Sequence, residues 1–177
     1  MKAEFLRLRL ADIPEGEAGR VRALFRNKIA RIQDRQKRLK AVRAYSRLDA
    51  GLSESILVDA LGDPCEIIRD FIIRELSARP EVRVDLLCER LSSPPWYARS
   101  AVLRIMAVRK PDRAVSFIDK VLADANADVR KCAAQALGEI GGREALPLLI
   151  KLQKDPNPYV RAAAEEGLRK ASEVRFS

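Results

Sequence analysis

No histidine occurs anywhere in the 177 residues. That removes Ser-His-Asp and Cys-His nucleophile activation, imidazole acid–base steps and histidine-bound metal centres. Cysteine is scarce as well. Cys65, Cys88 and Cys132 are odd in number and widely spaced, which leaves no complete intrachain disulfide framework and matches no zinc-ligand spacing. Cys88 and Cys132 fall among apolar helical positions, where a reduced thiol packs as a small apolar group. Aromatic residues make up 5% of the chain, with one tryptophan, so nucleic-acid bases would find few platforms for stacking. No apolar run approaches the roughly 20 residues that cross a bilayer. The N-terminal stretch MKAEFLRLRLADI interleaves arginine with leucine and is no secretory leader. These absences lead to the expectation of a cytoplasmic chain with no transmembrane segment, no cofactor and no metal. Carboxylate or lysine chemistry survives them, but no pair of residues is singled out for it, and the expectation is that the chain is not an enzyme.

What is present is an uneven charge. The net charge of +9 lies in residues 20–47, which carry eleven Arg or Lys against the single acid Asp34. The 130 residues after that segment balance twenty bases with twenty acids. Within it, Leu24, Phe25, Ile29, Ile32, Leu39, Val42 and Tyr45 recur at helical spacing. The pattern predicts two helices with a break within 33–37, one face packed and the other cationic. Arg26, Arg31, Arg35 and Arg38 are candidates for an anionic-partner patch, whether the partner is nucleic acid, an acidic protein or anionic lipid headgroups. The alternative is the solvated outer face that a terminal repeat needs.

The chain is periodic. Arg69, Arg99, Arg130 and Arg161 follow one another at 30, 31 and 31 residues, and Arg38 lies one further step upstream. Aligned on them, first helices fall at 36–48, 67–79, 97–109, 128–140 and 159–172. Second helices fall at about 53–61, 82–92, 113–123 and 144–154. Ala41, Ile72, Val102, Ala133 and Ala164 share one apolar row, and Tyr45, Leu76, Met106, Leu137 and Leu168 lie one turn further on. Asp63-Pro64, Ser93-Pro94-Pro95 and Asp155-Pro156 mark the steps between repeats, where proline cannot continue a helix. Asp63 and Arg69, Asp124 and Arg130, and Asp155 and Arg161 are each six residues apart. The recurrence suggests a structural ladder of Asp–Arg hydrogen bonds that fixes the angle between repeats. Serine stands in for the acid only at Ser93.

The run from 124 to 171 joins an aspartate turn, Val-Arg, an alanine-rich helix, Leu-Gly-Glu-Ile-Gly and Ala-Leu-Pro-Leu-Leu. It resembles the short HEAT-like repeats related to the phycobilin-lyase type. The resemblance implies an all-α fold, a right-handed α-solenoid of about five HEAT-like helix pairs, with the second helices lining the concave side and another protein held there. Enzymes in that family include deoxyhypusine hydroxylases, whose di-iron site of His–Glu pairs has no counterpart in a chain without histidine. Phycobilin lyases act on chromophore–protein pairs, and the resemblance to them covers only the scaffold. HEAT-like DNA glycosylases have a basic concave face around a flipped base, whereas this chain is neutral beyond residue 47.

The expected organisation is an N-terminal arm at 1–19 and a single repeat domain at 20–177, with a basic cap at 20–47 and repeats over 36–172. In the arm, Leu6, Leu8 and Leu10 alternate with Arg7 and Arg9 in strand fashion. Two features are candidates for contact with a partner protein. Asp59, Glu89, Lys120 and Lys151 form the non-apolar row of the second helices and would grade a groove from acidic to basic. Trp96 stands where other repeats have Glu66, Ala127 or Pro158, and Trp96 with Tyr97 follows two prolines at a repeat step, in the manner of an interface anchor. The plainer readings are ordinary solvated surface for the row and a cover over helix ends for the aromatic pair. Sequence-independent nucleic-acid binding through 20–47 is the alternative function, and the oligomeric state is open.

Overall fold

A computed structural model of the chain describes residues 18–48, 50–80 and 82–173, so most of the N-terminal arm lies outside the described residues. The regular structure among those residues is entirely helical, with no strand. The elements are α1 (Ala18–Ala30), α2 (Arg35–Tyr45), α3 (Ala50–Ala60), α4 (Glu66–Ala78), α5 (Val84–Arg90), α6 (Trp96–Arg109), α7 (Ala114–Asp119), α8 (Ala127–Ile140), α9 (Ala145–Leu152) and α10 (Pro158–Glu173). Gly19, the last residue of the expected N-terminal arm, is therefore already inside α1. The five first helices start within a residue of their sequence-based positions. The second helices α5 and α7 are shorter than expected. Their ends tighten into i→i−3 bonds, Leu91 to Cys88 at 3.0 Å and Val121 to Ile118 at 3.0 Å, which close the last turn and stop the α-helix. The break between α1 and α2 covers residues 31–34, just ahead of the expected place. It ends where the Asp34 carboxylate accepts the Lys37 backbone N–H at 2.7 Å and caps α2.

The chain divides into two compact units, Met1–Leu86 and Leu87–Ser177, where the sequence suggested one continuous repeat domain. In the first unit α3 is the central element, with α1, α2 and α4 packed on it. Leu52, Ile56, Leu57, Val58 and Leu61 are at most 1% exposed. The polar residues of the same helix, Ser53, Glu54, Ser55 and Asp59, are buried as well. Burying such groups is tolerable only when they are hydrogen-bonded. Ser55 Oγ donates to the Gly51 carbonyl at 3.1 Å, and Glu54 accepts both the backbone N–H of Arg83 and its Nε, the latter at 2.8 Å.

In the second unit the first helices α6, α8 and α10 lie side by side, with α7 against α8 and α9 against α8 and α10. The apolar rows read from the period form this core: Val102, Met106, Ala133, Leu137, Ile118, Leu149 and Ala164 are fully buried. α8 and α10 cross at two glycines. A Cβ placed on Gly138 would stand 2.5 Å from the Gly167 Cα, and one on Gly167 would meet Leu149 Cδ2 at 2.8 Å. The backbones approach this closely because neither position carries a side chain.

Candidate cationic interface

The repeat-marking arginines are committed to the fold. Each of Arg69, Arg99, Arg130 and Arg161 donates Nη1 to the carbonyl six residues earlier, at Asp63, Ser93, Asp124 and Asp155, over 2.7–2.8 Å. The carboxylates of those turns do not bind the arginine six residues on, as the sequence spacing suggested. They bind the one 25 residues earlier. Arg38 grips Asp63 through Nε at 2.6 Å and Nη2 at 3.1 Å. Arg99 grips Asp124 at 2.7 and 2.8 Å, and Arg130 grips Asp155 at 2.7 and 3.0 Å. In each turn Oδ1 also accepts the backbone N–H two residues on, at Cys65, Asn126 and Asn157.

The arrangement is one carboxylate held by a bidentate guanidinium and a backbone amide at the mouth of the next helix. It fits the electrostatics. Arg130 beside Asp155 holds that carboxyl below its ordinary range. Burial would raise Asp124, but its hydrogen bonds from Arg99 and Asn126 outweigh that and leave it lowered. Asp63 likewise raises the Arg38 guanidinium above its usual value.

Two of the sequence's site candidates are therefore placed elsewhere. Arg38 is not an open cation of the anionic-partner patch. It is bound to Asp63 and to the Ile32 carbonyl at 2.7 Å, with its side chain 12% exposed. Asp59 is not a solvated groove residue. Its carboxylate is buried and receives Nε and Nη2 of Arg22 at 2.7 and 2.8 Å, because α1 covers that side of α3. The acidic start of the graded row is thus neutralised. Glu89, Lys120 and Lys151 are exposed, and Lys120 sits 5.1 Å from the Phe117 ring centroid. The pairs Arg22–Asp59 and Glu54–Arg83 had no sequence signal, since neither repeats.

With Arg22 and Arg38 withdrawn, α1, α2 and the turns beside them still present Arg20, Arg26, Lys28, Arg31, Arg35, Lys37, Lys40, Arg43 and Arg47, all exposed. None of these nine has an ion-pair partner among the described residues. The lone acid of the segment, Asp34, is spent as the α2 cap. Two hollows adjoin this surface. One, of about 450 Å³, is apolar, with Val21, Leu24 and Phe25 from α1 over buried Leu52 and with Lys28 and Arg31 at its rim; Leu24 is 68% exposed. The other, of about 540 Å³, lies between α2 and α4.

In the second unit Trp96 opens α6 directly after the Pro95 N-cap. It is 41% exposed and packs edge-on against Tyr97 at 5.8 Å. None of the three cysteines forms a disulfide and all are half-buried, and burial pushes the Cys132 thiol up from its ordinary value. No cluster of three or more metal-ligating Cys, Asp or Glu side chains occurs among the described residues, and no described helix is long and apolar enough to cross a membrane.

A family model described as HEAT repeats matches residues 84–169. The match spans most of the second compact unit. Helix pairs repeated along a chain, as among the described residues, are the α-solenoid architecture of such repeats. No curated protein matches the chain. Among solved structures it is similar to human deoxyhypusine hydroxylase in complex with glycerol, at 20% identity over 92% of this chain and 70% of that one, with a TM-score of 0.55. It is also similar to an engineered protein at 20% identity, 89% and 81% coverage and a TM-score of 0.48.

Identity this low shows the fold alone. Even so, the first likeness corrects the expectation that the chain is not an enzyme. A scaffold of the same kind serves a hydroxylase, and catalytic groups are a few side chains set on a fold, so a repeat pattern leaves chemistry open.

Proposed function

We propose that this chain is a protein-binding module whose acidic partner docks on the cationic surface of α1 and α2. The observation that carries the reading is the division of labour among cations. Arg22, Arg38, Arg83, Arg99 and Arg130 are each matched to a carboxylate, whereas nine neighbouring cations of α1, α2 and their turns are exposed with no ion-pair partner among the described residues. Such a concentration of one sign steers and orients an oppositely charged partner.

An acidic protein fits better than nucleic acid, because the aromatic side chains of this surface are already engaged. Phe25 and Tyr45 pack edge-on at 4.8 Å, and Phe71 lies under Arg43 at 5.5 Å, so bases lack a free ring on which to stack. The exposed Leu24 hollow gives a protein partner an apolar foothold beside the charge. Trp96 and Tyr97 offer a further contact on the second unit, as half-exposed aromatic anchors do in interfaces.

The test is affinity capture at physiological salt with the native chain and with Arg26→Glu, Arg31→Glu and Arg35→Glu combined. The native chain should retain one or a few acidic proteins that the charge-reversed chain releases. Equal retention by both would contradict the proposal.

A further inference from the structure

The hollow between α2 and α4 has a composition that selects its occupant. It is lined by Arg43, Ser46 and Arg47 from the end of α2 and by Phe71, Arg74 and Glu75 from α4. Three guanidinium groups thus face one carboxylate in about 540 Å³, leaving two positive charges to be met by a ligand. Ser46 Oγ already donates to the Arg43 carbonyl at 3.0 Å, so recognition falls to the guanidiniums, which take carboxylates in bidentate fashion. Arg43 is held over the Phe71 ring at 5.5 Å, a cation–π contact that orients its fork without neutralising it. Ile67 lies one turn before Phe71 on the same face of α4 and is 60% exposed. Cations and apolar surface therefore run side by side.

We infer that this cleft takes a short peptide segment bearing two neighbouring Asp or Glu side chains and an adjoining apolar or aromatic one. The carboxylates meet Arg43, Arg47 and Arg74, and the apolar side chain lies along exposed Ile67, beside the Phe71 ring that Arg43 covers. This rests on the acidic-partner reading and names the subsite for it. A free phosphate or a nucleic-acid backbone would use the arginines and leave the apolar strip of α4 uncovered.

The experiment is fluorescence anisotropy at physiological salt, where charges beyond about 8 Å are screened. The probes are a short labelled peptide of glutamates around one phenylalanine and the same peptide with the phenylalanine replaced by serine. They are titrated with the native chain, with Arg43→Glu/Arg74→Glu, with the milder Arg43→Gln/Arg74→Gln, and with Arg26→Glu/Arg31→Glu on α1. Arg43 and Arg74 are exposed, and circular dichroism checks that each variant keeps the native helix content.

The cleft variants should weaken the phenylalanine-containing peptide by at least about tenfold, the α1 pair should change it far less, and the serine peptide should bind more weakly to the native chain. Binding that survives in both cleft variants but falls in the α1 pair would overturn the cleft and leave the acidic-partner reading standing. No binding of either peptide to the native chain would overturn both.

Discussion

Gly138→Ala sets two effects of opposite sign against each other. Gly138 lies inside α8, where alanine is the better helix former by about 1 kcal/mol. Local propensity alone therefore forecasts a more stable protein. The crossing with α10 forecasts the reverse. The new methyl carbon would stand 2.5 Å from Gly167 Cα and 3.4 Å from its carbonyl carbon and oxygen. Carbon atoms rest at about 3.5–4.0 Å, so the two helices must part by about 1 Å or more. The obstacle is backbone, and no rotamer change relieves it. Separating packed helices loosens a core in which Ala133, Ala134, Leu137 and Ala164 are fully buried, and overpacking of this kind costs about 1–3 kcal/mol. Its upper range applies here, because the whole interface moves. The net expectation is a loss of about 1–2 kcal/mol, seen as a fall in Tm of several degrees by differential scanning calorimetry, since a chain of this size loses about 2–4 °C per kcal/mol. An unchanged or raised Tm would refute the packing argument.

Other consequences follow from the ladder and from the α2 cap. Asp155→Ala strands the Arg130 guanidinium, whose side chain is 13% exposed, and should destabilise the chain by about 3 kcal/mol in denaturant titrations. The Asp155 pKa is lowered in the folded state from 3.8, so its contribution is fully present above that value and lost as pH falls through the folded pKa. The stability gap between the native chain and Asp155→Asn, followed by urea titration from pH 6 downward, should accordingly hold to about pH 4 and then close. A gap that widens in acid would contradict the pairing. Asp34→Ala removes the acceptor for the Lys37 N–H and should lower the urea midpoint in the same titration; an unchanged midpoint would mean that α2 does not depend on its cap.

The helices were legible from sequence because each repeat carries an arginine with the same local task. Arg69, Arg99, Arg130 and Arg161 all reach back six residues to a turn carbonyl, so the period of the side chain is the period of the fold. The partner of each carboxylate was not legible. Asp124 lies six residues before Arg130 and 25 after Arg99, and these spacings are complements within one repeat, so periodicity fits either pairing. Only the placement of the helices shows that the carboxylate takes the earlier arginine and the carbonyl the later one.

Asp59 was misplaced for a different reason. The row on the second helices suggested a solvated position, but α1 covers α3 and supplies Arg22, and α1 has no repeat equivalent that could announce this. The expectation of no enzyme failed because the repeat signature speaks of scaffold alone, and a likeness to deoxyhypusine hydroxylase is compatible with the same scaffold. The concentration of charge in residues 20–47 was visible at once. Which of its cations are tied down was settled by the positions of Asp59 and Asp63.

The account stands most directly on what the exposed cations of α1 and α2 prefer. The measurement is a competition at physiological salt, in which a labelled glutamate-rich polypeptide bound to the native chain is displaced by unlabelled duplex DNA or by the same polypeptide unlabelled. The acidic-partner account predicts that the polypeptide displaces the label at far lower concentration of charge than the DNA does, because phosphate contacts alone weaken steeply with salt. Displacement by DNA at equal or lower concentration, persisting as salt is raised, would contradict it.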